Sequence, residues 1–190
     1  ANFQNSRQQI WLDSSADNAG TALDVTASAA NRRKFLTALN KAIKFVGLDT
    51  GRGKGCIYLN EALYLGITAT LQGSGLLDTT KDQFDRQFTT YAGLPLYDTG
   101  YKSDLATEIL GVVEGTGAHS CSAYVVRWDQ TDGLIGVQSN EMKVYDPLQG
   151  REMEALPANL LRIDWATMII PRGSFCIARV GGVLNPASWT

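Results

Sequence analysis

The spacing of apolar residues changes part of the way along this chain, and that change most constrains its fold. Residues 28–46 place apolar side chains at helical spacing, at Phe35, Leu39, Ile43 and Val46. After Gly73 the apolar residues alternate instead, which is typical of strands that bury one face. A helical early part and a β-rich later part predict an α+β fold.

Local signals give the bounds of two helices and one strand. Gly47 is a stop signal for the first helix, which spans residues 28–46. Residues 56–59 are predicted to form a buried strand, and Asn60 is an N-cap residue that begins a second helix. Glu61 suits the first turn of that helix, since carboxylates are favourable there, and the pattern predicts a helix over residues 61–72 closed by Gly73.

The later part of the chain predicts strands. Residues 122–126 and 134–138 flank the turn signal Asp132-Gly133 and indicate a hairpin. Residues 161–169 indicate one long strand, which turns at residues 171–173 into a further strand over residues 175–180. One face of the long strand carries Leu161, Ile163, Trp165, Thr167 and Ile169. That face is expected to pack against a second layer or a neighbouring subunit. Ile163→Ala or Trp165→Ala would then leave a cavity and lower the free energy of unfolding by about 2 to 5 kcal/mol.

Residues 85–111 form an ordered run without catalytic chemistry. Residues 89–97 are rich in β-branched, aromatic and aliphatic side chains and are interrupted by Gly93 and Pro95. This composition predicts an irregular strand at a sheet edge. Asp98 and Tyr101 follow it, and we expect the Asp98 carboxylate to accept backbone N–H groups in a turn over which Tyr101 packs.

Composition excludes several classes of function. A net charge of −2, with Arg32-Arg33-Lys34 as the longest basic cluster, offers no concentrated basic face for phosphates. No apolar run reaches the length of a membrane span, and the first residues lack the apolar centre of a signal peptide, so we expect synthesis in the cytosol. Cys56, Cys121 and Cys176 lack metal-site spacing and are interpreted as reduced core thiols.

Two segments resemble catalytic or phosphate-binding motifs only weakly. Asp-Thr-Gly occurs at Asp49 and at Asp98, as in aspartic peptidases, but Arg52 and Tyr101 follow where that family has Ala or Ser. Turn formation is the favoured interpretation. Residues 47–55 resemble a phosphate-binding loop around Lys54, yet they precede a strand instead of following one, so a helix-to-strand connection is favoured.

Isolated reactive or aromatic residues have equally plain interpretations. His119, Ser120 and Cys121 are adjacent in sequence, whereas a nucleophile and its base must meet in space with a third group, so a loop entering a strand is favoured. Trp128 and Trp165 are predicted core residues. Trp189 is a candidate anchor on a neighbouring subunit. We therefore predict no catalytic, cofactor-binding or metal-binding residues, no cofactor and no enzymatic activity.

The order of segments from residue 89 onward resembles that of tailed-bacteriophage major capsid proteins. The matching residues are Thr89, Thr90, Tyr91, Gly93, Pro95, Asp98, Gly100 and Tyr101, then segments 108–111 and 122–128. Segments 134–138, 142–146 and 161–171 continue the same order, and the resemblance covers roughly residues 30–182. Its specificity lies in the order, because each piece alone is weak.

The resemblance implies the Hong Kong 97-type capsid fold, in which an axial domain of mixed sheet with flanking helices is joined to peripheral-domain β-strands. Residues 1–27 would then be an N-terminal loop or strand, 28–138 mainly axial domain, and 139–190 peripheral strands with a return to the axial domain. The chain would correspond to the C-terminal portion of the family's polypeptide, after the N-terminal arm, extended loop and spine helix.

The implied function is self-assembly into an icosahedral phage head around double-stranded DNA. The implied partners are the chain itself in hexamers and pentamers, scaffolding, portal and decoration proteins, and packaged DNA bound without sequence specificity, with no membrane. The implied location is the virion, after synthesis in the host cytoplasm. An encapsulin-like bacterial nanocompartment shell is the alternative within this fold, and an aspartic-type peptidase is the alternative from another class.

Overall fold

The computed structural model describes residues 8–13, 21–50, 54–72, 75–81, 85–111, 120–139, 141–145 and 162–184. The helices are α1 (Ala29–Val46) and α2 (Glu61–Leu71). The first strands are β1 (Gln9–Trp11), β2 (Lys54–Leu59), β3 (Leu77–Lys81), β4 (Gln87–Tyr91) and β5 (Leu94–Asp98). The remaining strands are β6 (Ser120–Trp128), β7 (Leu134–Gln138), β8 (Lys143–Tyr145), β9 (Arg162–Asp164), β10 (Thr167–Pro171) and β11 (Ile177–Leu184).

Both predicted helices are confirmed, and side-chain caps explain where they begin. The Ser28 hydroxyl accepts the N–H of Asn31 at 3.1 Å, and α1 ends at Gly47 as predicted. The Asn60 side chain accepts the N–H of Leu63 at 3.1 Å and so begins α2. The predicted stop at Gly73 lies outside the described residues. Neither described helix is long and apolar enough to cross a membrane.

A mixed sheet forms the centre of the structure. Its strands lie in the order β1-β11-β6-β2-β5-β4-β3, with parallel pairs β1–β11 and β2–β5 and antiparallel pairs elsewhere along this path. The predicted strand over residues 56–59 is confirmed as part of β2, which lies between β6 and β5. Its apolar run Cys56 to Leu59 is largely buried, with Tyr58 half-buried, because apolar clusters cover both faces of the sheet at this strand.

Both helices pack on the same face of this sheet. The core beneath them combines Phe35 and Leu39 of α1 and Leu63 of α2 with alternate strand residues such as Ile57 and Val125. The other sheet face carries a smaller cluster, in which Cys56, Val126, Leu134 and Cys176 are buried with half-buried aromatic residues around them. The structure is therefore α+β, with one helix-covered face and one more open face.

The prediction of one irregular edge strand over residues 89–97 is wrong. The segment forms the antiparallel hairpin β4–β5, with Ala92 and Gly93 at its turn. Both turn residues have positive φ, at 50° and 76°, which matches the two-residue turns that suit the twist of a hairpin. A proline is unusual in a strand with partners on both edges. β5 accommodates Pro95 because this residue pairs only with β4, and the ladder with β2 begins one residue later at Leu96.

The predicted hairpin of residues 122–126 with 134–138 is also wrong. β6 and β7 meet only at Trp128 and Leu134, and in the parallel sense. The reason is that β11 and β2 already occupy both sides of β6. The predicted turn exists, since the Gly133 N–H donates to the Asp129 carbonyl at 3.2 Å, but it directs β7 away to pair antiparallel with β10.

Residues 161–169 do not form one long strand. β9 and β10 divide this segment, and they belong to different sheets: β9 pairs with β8, and β10 pairs with β7. Segment 142–146 of the family resemblance contains β8, and its last residue, Asp146, lies outside the described residues, as does Leu161. A strand that changes partners at Trp165 and Ala166 cannot present one continuous buried face.

The last strand and the N-terminal segment are joined at a bulge. β11 is longer than the predicted strand over residues 175–180, and its register with β6 shifts between Val180 and Val183. The pairing of β1 with β11 runs from Arg179 into this bulge at Gly181, and the Asp13 backbone lies beside Gly182. The guanidinium of Arg179 lies 4.7 Å from the centre of the Trp11 ring, which adds a cation–π contact.

Candidate assembly surface

Exposed apolar side chains are concentrated on the strands that leave the main sheet. Seven large apolar side chains there are each between 47% and 62% exposed: Met142, Val144, Tyr145, Ile163, Trp165, Met168 and Ile169. Scattered exposed apolar residues are ordinary, but a concentration of this kind marks an interaction surface. We call the β7–β10 pair together with the β8–β9 pair the projecting strands.

The two faces of the β8–β9 pair differ in chemistry. Val144 lies opposite Ile163 on one face, and both are exposed. The other face pairs Lys143 with Asp164 and Tyr145 with Arg162. The Arg162 side chain contacts the Asp164 carboxylate at 2.8 Å, but an exposed ion pair contributes little stability. The apolar face is therefore the one that gains by contacting another surface.

A cleft of about 470 Å³ lies between the two pairs of projecting strands. Trp165 lines it and donates its indole N–H to the Gln138 side-chain oxygen at 3.2 Å. The prediction of Trp165 as a core residue is wrong, because this side chain is 61% exposed. Ile163 and Ile169, from the same predicted face, are 56% and 62% exposed. The described residues therefore leave this apolar face uncovered.

Removal of these exposed side chains should leave the isolated chain's stability almost unchanged. We expect Ile163→Ala and Trp165→Ala to change the free energy of unfolding by about 0.5 kcal/mol or less, since neither removal creates a cavity. Ile57→Ala is the matched control, because Ile57 is 0% exposed and its truncation should cost about 2 to 5 kcal/mol. Urea unfolding of the three variants tests this, and a large loss at Ile163 would contradict the exposed placement.

The turn after β5 is held by hydrogen bonds to the first residues of α2. The Asp98 carboxylate accepts the Gly100 N–H at 2.9 Å, as predicted. The Tyr101 hydroxyl donates to Glu61, and this bond together with nearby carboxylates raises the pKa of Tyr101 to about 12. The Asn60 amide donates to Glu108 at 3.0 Å. These contacts hold the loop of residues 98–109 against the end of the sheet.

Substitution of Asp98 should separate a structural from a catalytic role. Asn keeps an acceptor for the Gly100 N–H, so Asp98→Asn should leave folding and assembly intact. Asp98→Leu removes the acceptor and should lower soluble or assembled protein. Sedimentation and thermal melting of both variants check this. Equal behaviour of the two variants would show that the turn does not depend on this side chain.

The open face of the main sheet carries an aromatic groove of about 1040 Å³. Tyr58 and Tyr97 have ring centres 6.0 Å apart, and Phe88 lies 6.3 Å from Tyr97. Trp128, predicted to be a core residue, is half-buried at this face and donates its indole N–H to the Cys56 sulfur at 3.2 Å. Burial and the Cys56 contact raise the pKa of Tyr58 to about 12.

The two Asp-Thr-Gly aspartates do not come together. Asp49 lies in a short 3₁₀ turn after α1, and the preceding Leu48 packs on Gly55 near the start of β2. Asp98 pairs with Leu59 at the other end of β2, so the four residue steps from Gly55 to Leu59 separate the two regions by about 13 Å of strand. This geometry contradicts a shared proton between the two carboxylates, which the peptidase alternative requires.

The remaining candidates from the sequence lie apart or outside the described residues. Lys54 begins β2, and residues 51–53 of the loop that resembles a phosphate-binding loop lie outside the described residues. His119 and Trp189 also lie outside them. Ser120 and Cys121 are buried in β6, where the Cys121 thiol contacts the Val183 carbonyl at 3.4 Å. Cys56 and Cys176 are buried as well.

Sequence reasoning missed Arg127 and the free edge of β10. Arg127 is a charged residue in an otherwise apolar strand and is only 4% exposed. Its guanidinium donates to the carbonyls of Val46 and Asp132 at 2.9 and 2.7 Å. The signal available in the sequence was a lone charge among apolar residues. The corresponding signal for the edge of β10 was a run of uncharged residues with apolar side chains at consecutive positions.

Comparison with known proteins supports a capsid-type fold. No family model matches the chain, and no curated protein matches it. Among solved structures it is similar to a chain of the holo-SrpI encapsulin complex from Synechococcus elongatus PCC 7942, with a TM-score of 0.56 and 13% sequence identity. The match covers 94% of this chain and 54% of that chain, so this chain spans about half the length of its structural neighbour. The chain therefore shares the α+β fold of an encapsulin shell subunit.

Proposed function

We propose that this chain forms part of a subunit that self-assembles into a closed icosahedral shell, with a structural and not a catalytic role. The fold similarity to an encapsulin shell subunit over 94% of the chain carries this proposal. The exposed apolar face of the projecting strands supports it, because a concentration of exposed apolar side chains is typical of a surface that contacts another protein. In a ring of identical copies each subunit would present one patch to a different patch on its neighbour.

Two versions of this function differ in the contents of the shell. The structural neighbour favours an encapsulin-like compartment around protein. The order of sequence segments favours a phage head around DNA. In that version scaffolding, portal and decoration proteins would be partners, and the location would be the virion after synthesis in the host cytoplasm. A net charge of −2 suits either content, since neither requires the inner wall to hold phosphates tightly.

Electron microscopy of the full-length protein, expressed alone and purified by size, tests the proposal. We expect uniform thin-walled shells, whereas a monodisperse monomer would contradict it. Particles from the native source then separate the two versions. Nuclease-resistant double-stranded DNA would identify a phage head, and a co-purifying protein without DNA would identify a compartment. We expect denaturing gels of phage-type particles to show free monomers, whereas a ladder of bands would indicate covalent crosslinks between subunits.

A peptidase assay tests the non-catalytic part of the proposal. We expect no peptide cleavage above background, with or without pepstatin. Cleavage that pepstatin inhibits, and that both Asp49→Asn and Asp98→Asn abolish, would support the peptidase alternative. Asn is nearly isosteric with Asp at either position, so loss of activity without loss of fold would be interpretable.

A further inference from the structure

Among the described residues, β10 has a strand partner along only one of its edges, and we call the other its free edge. β10 pairs with β7 along one side, and no strand of the described residues lies along its other side. A free edge presents unpaired backbone N–H and C=O groups, and proteins normally protect such edges with charges, short strands or irregularities. The two strands at the ends of the main strand path follow that rule: β3 carries Asp78 and Lys81, and β1 has only three residues.

Backbone hydrogen bonds at both ends of β10 show which of its residues direct their backbone N–H and C=O groups away from β7. The Ser139 N–H donates to the Ala166 carbonyl at 3.1 Å, and the Arg172 N–H donates to the Gly133 carbonyl at 2.9 Å. Bonding direction alternates along an antiparallel strand, so Met168 and Ile170 also bond toward β7. Thr167 and Ile169 therefore direct their N–H and C=O groups outward.

Pro171 also occupies an outward position. Its missing N–H removes no bond to β7, and it limits the free edge to the part of β10 before it. Thr167 to Ile170 contains no charged residue. Met168 and Ile169 point to opposite faces and are 60% and 62% exposed. Apolar side chains on both faces are typical of a strand that is covered on both faces, so Met168 and Ile169 gain burial when another strand extends the sheet beside them.

We propose that the free edge of β10 pairs antiparallel with β10 of a second copy of this chain across a two-fold axis. Thr167 of each copy would lie opposite Ile169 of the other, and the two residues would exchange both backbone hydrogen bonds. Two such pairs give four bonds, with Met168 opposite Met168 at the centre. The result is a continuous four-stranded sheet, β7-β10-β10-β7.

The second copy is the favoured occupant because the edge is complementary to itself. Thr167 and Ile169 point outward on either side of Met168, so the same three residues can supply both strands of a symmetric pair. None of the three is charged, so no charge lies opposite its own symmetry mate. The identification of that copy as a neighbouring shell subunit rests on the proposed function. The pairing itself is a separate claim and is tested separately.

Disulfide trapping of the full-length Met168→Cys variant tests the register. Directly opposed residues of a non-hydrogen-bonded pair have Cα atoms about 4.5 Å apart, which lies within the range that a disulfide bridges. The native cysteines are buried and will not compete. We expect most of the protein to run as a dimer on a non-reducing gel after mild oxidation. Ile163→Cys is the matched control, since Ile163 is 56% exposed and lies on β9, and should give at least fivefold less dimer.

A backbone variant tests the edge without new chemistry. Ile169→Pro removes one outward N–H and leaves the bonds to β7 intact, so the subunit should fold, and sedimentation should show at least tenfold less dimer or assembled protein. Ile169→Ala keeps that N–H and should associate more than the proline variant does. Equal association of the two variants would contradict backbone pairing.

Hydrogen exchange of the unmodified protein provides a measurement that needs no variant. The N–H groups of Thr167 and Ile169 should be protected in the associated form and exchange rapidly in the dilute monomer. Shells that form without Met168→Cys dimers, or with these amides unprotected, would overturn the pairing and leave the shell proposal standing. Dimers without shells would support the pairing and contradict the shell. If the thiol of the Met168→Cys variant is protected from thiol reagents but never crosslinks, another segment or protein covers the edge and the pairing is overturned.

Discussion

Arg127→Met should lower the free energy of unfolding by about 3 kcal/mol, because it removes a buried charged donor and leaves its acceptors unpaired. The guanidinium joins three parts of the fold. Arg127 is a residue of β6, and its guanidinium donates to the Val46 carbonyl at the end of α1 and to the Asp132 carbonyl in the turn before β7. Truncation would release both the helix end and the turn that directs β7 away from the sheet. Denaturant unfolding measures the loss.

Two control variants separate the contributions of Arg127. Asp132→Ala removes the carboxylate at 3.0 Å but keeps the backbone carbonyl, and the Asp132 side chain is 47% exposed, so the loss should be about 1 kcal/mol or less. Arg127→Lys keeps the charge but cannot reach both carbonyls with a planar fork, so an intermediate loss is expected. Equal stability of wild type and Arg127→Met would show that these contacts do not hold the turn.

Gly182→Ala should destabilise the fold by about 3 kcal/mol, from a disfavoured backbone conformation and overpacking together. Gly182 lies in the bulge of β11 with φ of 74°, and a Cβ there would lie 2.7 Å from the Asp13 backbone nitrogen. The obstacle is backbone, which cannot rotate away as a flexible side chain could. Relief of the clash would shift the segment after β1 from its place beside β11.

Two other glycines provide matched controls for this prediction. Gly93 has φ of 76° with open space around its missing Cβ, so Gly93→Ala should cost only the backbone term, about 1 kcal/mol. Gly136 has open space and no positive φ, so Gly136→Ala should lie within about 0.5 kcal/mol of wild type. Thermal melting should rank the losses Gly182, Gly93, Gly136. Any other order would show that the bulge is not constrained in this way.

Local sequence determined the helices of this protein and the strand between them. Ser28 and Gly47 bound α1, and Asn60 begins α2, because side-chain caps and helix stops act within a few residues of the backbone groups they satisfy. The Asp98 turn was predictable for the same reason, since its acceptor and donor are two residues apart. The α+β class followed from the change in apolar period, which depends only on neighbouring residues.

Tertiary structure alone decided which strands pair and which apolar faces are buried. β6 could not form a hairpin with β7 because β2 and β11, distant in sequence, occupy both of its edges. Residues 161–169 alternate as a half-buried strand does, yet a change of partner at Trp165 leaves Ile163 and Ile169 exposed. An alternating pattern of apolar and polar residues indicates that one face of a strand is apolar, but not which element covers that face. Strand pairing and burial depend on long-range contacts, which no local pattern contains.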